Sequence, residues 1–250
     1  MTNEPLMPEA GASHWFSRLR TLWQDRVNPT TYLGLHLTIG LVFAAASIWL
    51  FATLLDGVLD NALLVRWDVA VDAAIHARMT GMNLRPVNLV TQLGSPVAMG
   101  LLGLGGAVSL WRSDHRTMFM GWVAAFVGGT VINQMLKMAV HRTRPVYGAA
   151  YLHGASFSFP SGHAMASIIG YGMLGYLLRH VWRGSQREHR AVDGLLVLMI
   201  LAVGLSRILL GVHYPSDVVG GWAAGGAWMA VCVVGIGIAE QRRLDRARTP

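Results

Sequence analysis

Six long apolar runs, separated by arginines and polar turns, dominate the sequence. A helix needs about 20 residues to cross the roughly 30 Å of hydrocarbon in a membrane, and every run except the second approaches that length. The pattern therefore predicts transmembrane helices at Tyr32–Leu55, Pro96–Trp111, Thr117–Met138, Gly162–Trp182, Ala191–Leu210 and Val218–Ala239.

The second run starts late along the chain. Ser95 and Pro96 combine an N-cap residue with a proline at the first helical position, and this pair starts a helix. The apolar residues just before them, 84–93, fit either a separate half-helix or one helix with a kink. The sequence leaves both alternatives open.

These patterns predict an all-α fold. The expected architecture is a polytopic membrane protein with a six-transmembrane-helix bundle over residues 32–239 and both termini cytoplasmic. Residues 240–250 are expected to form a basic cytoplasmic tail. The N-terminal segment 1–31 lacks the short apolar core of a cleavable signal peptide. Its helically spaced aromatic residues among arginines fit either an interfacial amphipathic helix or a partly ordered basic tail.

Composition and charge placement support a membrane protein. Only 13% of the residues are charged and 53% are hydrophobic, whereas a soluble domain usually carries about a quarter charged residues. The net charge of +7 could indicate a nucleic-acid partner, but the arginines lie between apolar runs and not along one soluble face. With the N-terminus placed in the cytoplasm, most cationic residues fall on inner segments, as the positive-inside rule requires.

The longest outer connection covers residues 56–86. Its apolar residues recur at near-helical spacing, which predicts a short helix lying on the outer membrane surface. Four aspartates in this stretch could suggest a divalent-metal site, but a solvated helix face is the preferred interpretation. They are Asp56, Asp60, Asp68 and Asp72.

Three polar clusters stand at the ends of apolar runs, all on the predicted outer side. The first opens with Lys137, which is the single lysine of the chain, and closes with Arg144-Pro145. A charge at that depth is costly unless it faces the bundle interior or a polar cavity. The two cations can converge on one anion, and the arginine can bind two of its oxygens. Interfacial anchoring is the alternative for this pair.

The second cluster, Ser161-Gly162-His163, begins the fourth run. Helix N-termini present free N–H groups and the positive end of the helix dipole, so they bind anions. Ser161 can cap the helix, Gly162 leaves room for a phosphate oxygen near the backbone, and His163 lies in the first turn. An ordinary capped helix start is the alternative.

The third cluster contains Arg207, His213 and Asp217. An aspartate four residues after a histidine can hold the imidazole in one tautomer and leave its other nitrogen free to attack. Asp217 can also act simply as the N-cap of the sixth helix. Taken together, the clusters supply cations, a nucleophile (His213), its orienting carboxylate and an acid (His163).

The three clusters resemble the motifs of the type 2 phosphatidic acid phosphatase family, whose members share a catalytic core with vanadium haloperoxidases. The family pattern is lysine, six residues and Arg-Pro, then Pro-Ser-Gly-His, then Ser-Arg, five residues, His, three residues and Asp. Segments 137–145, 160–163 and 206–217 match it at every defined position.

The resemblance implies a mechanism without a metal or any other cofactor. His213 would attack phosphorus and become phosphohistidine, Asp217 would support it, and His163 would protonate the leaving oxygen. The phosphate oxygens would be held by Lys137, Arg144, Arg207 and the amides of Ser161 and Gly162. Ordinary loop roles are expected for His141, Arg142 and His153, in preference to headgroup recognition.

The expected function is a membrane lipid phosphate phosphatase at the outer face of a bacterial-type inner membrane. Among undecaprenyl pyrophosphate, phosphatidylglycerol phosphate, phosphatidic acid and lipid A phosphates, the first is preferred because the predicted active face is outward and the chain is compact. One alternative is a lipid phosphotransferase on the same scaffold. Another, a non-enzymatic anion channel or transporter, is disfavoured because the polar residues collect on one side. The sequence leaves the oligomeric state open.

Overall fold

A computed structural model describes residues 32–60, 63–148 and 156–248, and over these residues the regular structure is entirely helical. The N-terminal segment and His153 lie outside them. Eight helices are described, numbered here in chain order. They are α1 (Tyr32–Leu59), α2 (Leu63–Met79), α3 (Arg85–Gln92), α4 (Pro96–Arg112), α5 (Arg116–Val140), α6 (Gly162–Val181), α7 (Gln186–Leu209) and α8 (Pro215–Arg248).

Five stretches within the described residues are long and apolar enough to cross a membrane: Leu37–Leu59, Arg85–Arg112, Arg116–Val140, Gln186–Leu209 and Pro215–Ala247. Their large apolar side chains are widely exposed, for example Trp49 and Val97 at 71% each. Helix α6, predicted as the fourth span, does not reach the same apolarity. It carries glycines and polar residues because it packs against α4, α5, α7 and α8 on several sides.

The helical structure is interrupted between α3 and α4, so residues 85–92 form a separate short helix. Ser95 is the N-cap of α4, and its side chain accepts a hydrogen bond from the Ala98 amide at 3.2 Å, with Pro96 at the first helical position. The carbonyl of Leu93, at the break, accepts a hydrogen bond from the Tyr171 hydroxyl at 2.8 Å. Two helices therefore make up the single candidate span Arg85–Arg112, and a side chain of α6 bonds the backbone between them.

Two helix ends differ from the predicted bounds. Helix α7 starts at Gln186, five residues before the predicted Ala191, because Ser185 and Glu188 form a capping box in which each side chain bonds the other's backbone amide. The last helix includes most of the predicted tail and is described as far as Arg248.

Helices α6 and α8 form the centre of the bundle. Gly221 of α8 lies so close to α6 that an added Cβ would stand 2.6 Å from the Ser161 carbonyl oxygen. The main apolar core lies between α5, α6 and α8 and includes Trp122, Met165 and Ile236. This close approach brings the start of α6 next to the start of α8, and both carry predicted site residues.

The connection over residues 56–86 contains a helix, α2, as predicted, but the expected solvated aspartate face is wrong for two of the four aspartates. Asp56 and Asp60 are exposed at the end of α1. Asp68 and Asp72 of α2 are 0% and 3% exposed. The reason is that α2 packs against α1, α7 and α8, so one of its faces turns inward.

Candidate active site

A cavity of about 1140 Å³ opens where α5 and α7 end and where α6 and α8 begin. It brings together six of the eight predicted site residues, from segments up to 76 positions apart in the sequence. They are Lys137, Arg144, Gly162, His163, Arg207 and His213. The other two, Ser161 and Asp217, lie outside the lining and are 0% exposed.

The tautomer of His213 follows from its neighbours. Nη1 of Arg144 lies 3.1 Å from Nε2 of His213, and a guanidinium can only donate. Nε2 therefore accepts, and we infer that the ring proton is on Nδ1. That nitrogen faces Oδ2 of Asp217 at 3.4 Å and the Ser158 hydroxyl at 3.5 Å. Nε2 therefore carries the lone pair of the ring, and it lies on the side of the ring that faces Arg144.

Burial keeps the His213 ring neutral. The pKa of His213 lies at about 3, below its ordinary 6.5, chiefly because burial removes the ring from water; Asp217 opposes this shift, and the neighbouring Arg144 and Arg207 add to it. A neutral imidazole retains its nucleophilic lone pair at physiological pH.

The carboxylate of Asp217 is held from several sides. Oδ2 accepts a hydrogen bond from the Tyr214 amide at 2.8 Å and a very short one from the Ser158 hydroxyl. Oδ1 accepts one from Nη1 of Arg142 at 2.6 Å. The same carboxylate faces His213 and accepts a hydrogen bond from the amide of Tyr214, the residue before α8; Asp217 lies in the first turn of α8 and is not its N-cap residue.

The three predicted phosphate-binding cations are tethered by backbone carbonyls and hydroxyl groups. Lys137 donates from Nζ to the Phe157 carbonyl at 2.6 Å. Arg144 donates from Nε to the Ser156 carbonyl at 2.8 Å and from Nη1 to the Val212 carbonyl at 2.8 Å.

Arg207 is fixed by a single hydrogen bond, from Nη1 to the Thr91 hydroxyl at 2.9 Å, and its buried Nε has no partner among the described residues. None of the three cations forms an ion pair with a carboxylate in the described part of the chain. Their charge is left to face the cavity, which favours an anionic ligand there.

The start of α6 differs from the sequence expectation at one residue. The Ser161 amide donates to the Asp217 carbonyl at 2.9 Å, and the Ser161 hydroxyl neither caps α6 nor has a partner among the described residues. Ser161 therefore joins α6 to α8. Gly162, the next residue, lines the cavity beside Asn133, and its amide belongs to the first helical turn, where amides lack intrahelical acceptors.

Three residues that contact the site were not predicted to do so from the sequence. Arg142 was expected to have an ordinary loop role, yet it contacts Asp217. Ser158 and Thr91 were not singled out, and they hold Asp217 and Arg207. Arg142 is basic and lies two residues before Arg144, which was the available signal. No local pattern marks Ser158 or Thr91.

Comparison with known proteins identifies the family. The model of the PAP2 superfamily matches residues 117–238. The chain is 30% identical over 188 residues to phosphatidylglycerophosphatase B of Bacillus subtilis (strain 168), covering 74% of this chain and 90% of that protein. This chain belongs to the PAP2 superfamily.

The chain is also similar to a second curated protein and to a solved structure. Decaprenylphosphoryl-5-phosphoribose phosphatase of Mycobacterium tuberculosis (strain CDC 1551 / Oshkosh) is 31% identical over 191 residues, covering 72% of this chain and 97% of that protein. The crystal structure of a transmembrane PAP2 type phosphatidylglycerolphosphate phosphatase from Bacillus subtilis superposes with a TM-score of 0.66. That match has 24% identity and covers 79% of this chain and 96% of that one. With the apolar helices, it identifies this PAP2 chain as a helical, multi-pass membrane protein.

Proposed function

We propose that the chain is a lipid phosphate phosphatase that acts through a phosphohistidine at His213. The observation that carries this proposal is the placement of a neutral imidazole, with its Nε2 lone pair beside Arg144, in a cavity lined by three cations that form no ion pair with a carboxylate among the residues described. The phosphatase names of the PAP2 relatives support the same activity.

In the first step, Nε2 of His213 attacks phosphorus while the bond from phosphorus to the leaving oxygen breaks. His163 lines the same cavity and donates a proton to that oxygen, so the product leaves as an alcohol, or as a phosphate if the substrate is a diphosphate. Lys137, Arg144 and Arg207 hold the other phosphate oxygens. Donors that are fixed in advance stabilise charge as it develops, and losing one typically costs about 10²–10³ in rate.

In the second step, water attacks the phosphohistidine and its proton returns to His163. The bond from phosphorus to Nε2 breaks and inorganic phosphate leaves. Throughout the cycle, Asp217 stabilises the positive charge that the His213 ring acquires on phosphorylation, because its Oδ2 faces Nδ1. No metal enters either step, since the fixed cations supply the charge compensation.

The cavity favours an amphiphilic substrate. Beyond the cations it continues between α4, α5 and α6 as a cleft lined by apolar residues such as Leu104, Trp122 and Phe126. An acyl or prenyl chain can lie in this cleft while its phosphate reaches His213. The apolar lining at that end also argues against the channel alternative, because a conduit needs polar groups through the middle of the membrane.

The proposed substrate class is a lipid phosphate, and several lipids of this class are candidates. The sequence-based preference for undecaprenyl pyrophosphate stays a prediction. The two relatives that match about three-quarters of the chain have names that point to phosphatidylglycerophosphate and to decaprenylphosphoryl-5-phosphoribose. These two types, with undecaprenyl pyrophosphate, phosphatidic acid and a lipid A phosphate, define the substrates to compare. We further propose that the cavity faces the exterior side of a bacterial inner membrane.

The test is phosphate release by the purified protein from these lipids in detergent micelles. His213→Ala is expected to lower release by at least about 10³-fold, because it removes the nucleophile. His180→Ala is the matched control, since His180 is exposed at the far end of α6. Turnover by His213→Ala at the wild-type rate would refute the assignment. Transfer of phosphate to an added lipid alcohol in preference to water would instead support the phosphotransferase.

A further inference from the structure

A buried ionic network lies behind the cavity and joins α2 to Asp217. Arg142 donates from Nη2 to Oδ2 of Asp68 at 2.8 Å and from Nη1 to Oδ1 of Asp217 at 2.6 Å. The side chain of Arg142 is 8% exposed, and both carboxylates are 0% exposed. One guanidinium thus bridges two carboxylates from different helices.

Ser216 adds a second link between the same helices. Its amide donates to Oδ1 of Asp68 at 3.1 Å, and its hydroxyl makes a very short hydrogen bond with Oδ2 of Asp68. Arg142 also contacts the Ser216 hydroxyl at 2.8 Å. Ser216 lies in the first turn of α8, where amides lack intrahelical acceptors. Asp68 therefore caps α8 from another helix, directly beside Asp217.

Arg142 is held as a cation in this position. Burial alone would lower the pKa of Arg142, but the carboxylates of Asp217 and Asp68 raise it, and the net direction is upward. The guanidinium carbon also lies 4.5 Å from the centre of the Tyr214 ring, within the range of a cation–π contact. Two carboxylates and an aromatic ring therefore stabilise the charge of Arg142.

Stability alone is a weak explanation for such a network. Buried ion pairs are often no more stabilising than well-packed apolar residues of similar volume. The network instead contacts Asp217 at Oδ1, whereas Oδ2 faces Nδ1 of His213 at 3.4 Å. Neither Asp68 nor Arg142 lines the cavity. The two therefore act on the side of Asp217 that points away from His213, without contact to a substrate in the cavity.

We propose that Asp68 and Arg142 are positioning residues for the reaction. Asp68 anchors Arg142, Arg142 fixes the Asp217 carboxylate, and Asp217 then holds the His213 ring with Nε2 toward phosphorus. This inference rests on the proposed function, because it assigns the network a purpose only if His213 is the nucleophile.

The proposal predicts a loss of turnover without a loss of binding. Misplacing a catalytic group by about 1 Å can cost about 10²-fold in rate. Asp68→Asn keeps the size of the side chain but loses the charge that anchors Arg142. We expect kcat to fall about 10²-fold, while KM for the same lipid phosphate stays within about twofold, because the cavity cations are untouched.

Asp72→Asn is the matched control. Asp72 lies one turn further along α2, is 3% exposed, and has His76 as its ion-pair partner in place of Arg142. The same substitution there removes a buried carboxylate from the same helix without touching the network. We expect the kcat of Asp72→Asn to stay within about twofold of the wild type, since buried charge on α2 is not itself required.

Arg142→Lys is a second, independent variant in case Asp68→Asn fails to fold. Lysine keeps the charge but lacks the planar fork that reaches two carboxylates at once. We expect an intermediate kcat, about tenfold below the wild type and above that of Arg142→Gln, with KM again unchanged. In the double variant Asp68→Asn/Arg142→Gln, the kcat should match that of Arg142→Gln alone. Asp68 acts through Arg142, so the effects of the two substitutions are not additive.

The outcomes separate this inference from the proposed function. A kcat for folded Asp68→Asn equal to that of Asp72→Asn, a wild-type kcat for Arg142→Lys, or a change confined to KM would each overturn the positioning role. Those results leave the function intact if His213→Ala is inactive. Activity retained by His213→Ala would instead overturn the proposed function, whatever the network variants show.

Discussion

The close approach of α6 and α8 offers a direct test of how the site is assembled. Gly221→Ala adds one methyl group at the point where the two helices meet. The new Cβ would stand 2.6 Å from the Ser161 carbonyl oxygen, 3.1 Å from the Ala164 Cβ and 3.2 Å from the Met165 amide nitrogen. Two of these three neighbours are backbone atoms, so a rotamer change cannot relieve the clash.

The size of the effect follows from the geometry. The nearest contact is shorter than ordinary van der Waals distance by roughly 1 Å, so α8 must move away from α6 by a comparable amount. Overpacking of this kind costs about 1–3 kcal/mol, and the better helix propensity of alanine offsets about 1 kcal/mol of that cost. The free energy of unfolding should therefore fall by up to about 2 kcal/mol.

The same movement would separate the proposed catalytic groups. Gly221 lies one turn after Asp217, and Ser161 directly precedes Gly162 and His163. A shift of about 1 Å between these helix starts should lower kcat by about 10²-fold.

Gly235→Ala is the control, because Gly235 lies on the same helix and nothing stands within 4 Å of an added Cβ there. The assay compares thermal unfolding and phosphate release of both variants in the same micelles. A Gly221→Ala protein as stable and as active as Gly235→Ala would refute the close approach.

Three further predictions concern pH, metals and topology. Burial lowers the pKa of His213 from 6.5 to about 3. Between pH 6.5 and about pH 3, the unfolded chain therefore binds a proton at His213 that the folded chain does not. Folding stability falls as the pH drops through this range. His213→Gln should therefore lose less thermal stability than the wild type between pH 7 and pH 5, and equal losses would contradict the buried neutral imidazole. Excess EDTA is expected to leave turnover unchanged because Lys137, Arg144 and Arg207 supply the positive charge, whereas a loss restored by Mg²⁺ would contradict the metal-independent mechanism. A reporter fused after Pro250 should be active only in the cytoplasm, where the arginine-rich inner segments are expected, and activity of a periplasmic reporter at that position would reverse the proposed sidedness.

The membrane helices were largely predictable because each depends on a local pattern. Ser95-Pro96 marked the start of α4, and the apolar runs marked the passages. The boundaries were less accurate where a local cap was overlooked, as at Ser185 and Glu188. Helix α6 shows the limit of hydropathy, since a helix surrounded by other helices can carry glycine and serine where a lipid-facing one needs leucine.

The candidate site was predictable for a different reason. Its residues stand in short motifs at helix ends, and charges at that depth are costly unless they serve a polar cavity. The structure places six of the eight around one cavity, which agrees with that expectation.

The buried ionic network of Asp68, Arg142 and Asp217 could not be predicted from local motifs. Asp68 and Arg142 are 74 residues apart, and Asp68 and Ser216 are 148 apart. Each looks like an ordinary polar residue in its own segment. Only the packing of α2 against α8 brings them together, and no periodicity in either segment encodes that contact.

The most direct measurement is to find where the phosphoryl group goes during turnover. The purified protein is mixed with a lipid phosphate labelled at phosphorus, quenched within one turnover, and digested under alkaline conditions that preserve phosphohistidine. Label on the peptide that contains His213, absent from His213→Ala, is the expected result. Release of labelled phosphate at the full rate with no label on His213, or label on a different residue, would contradict the account.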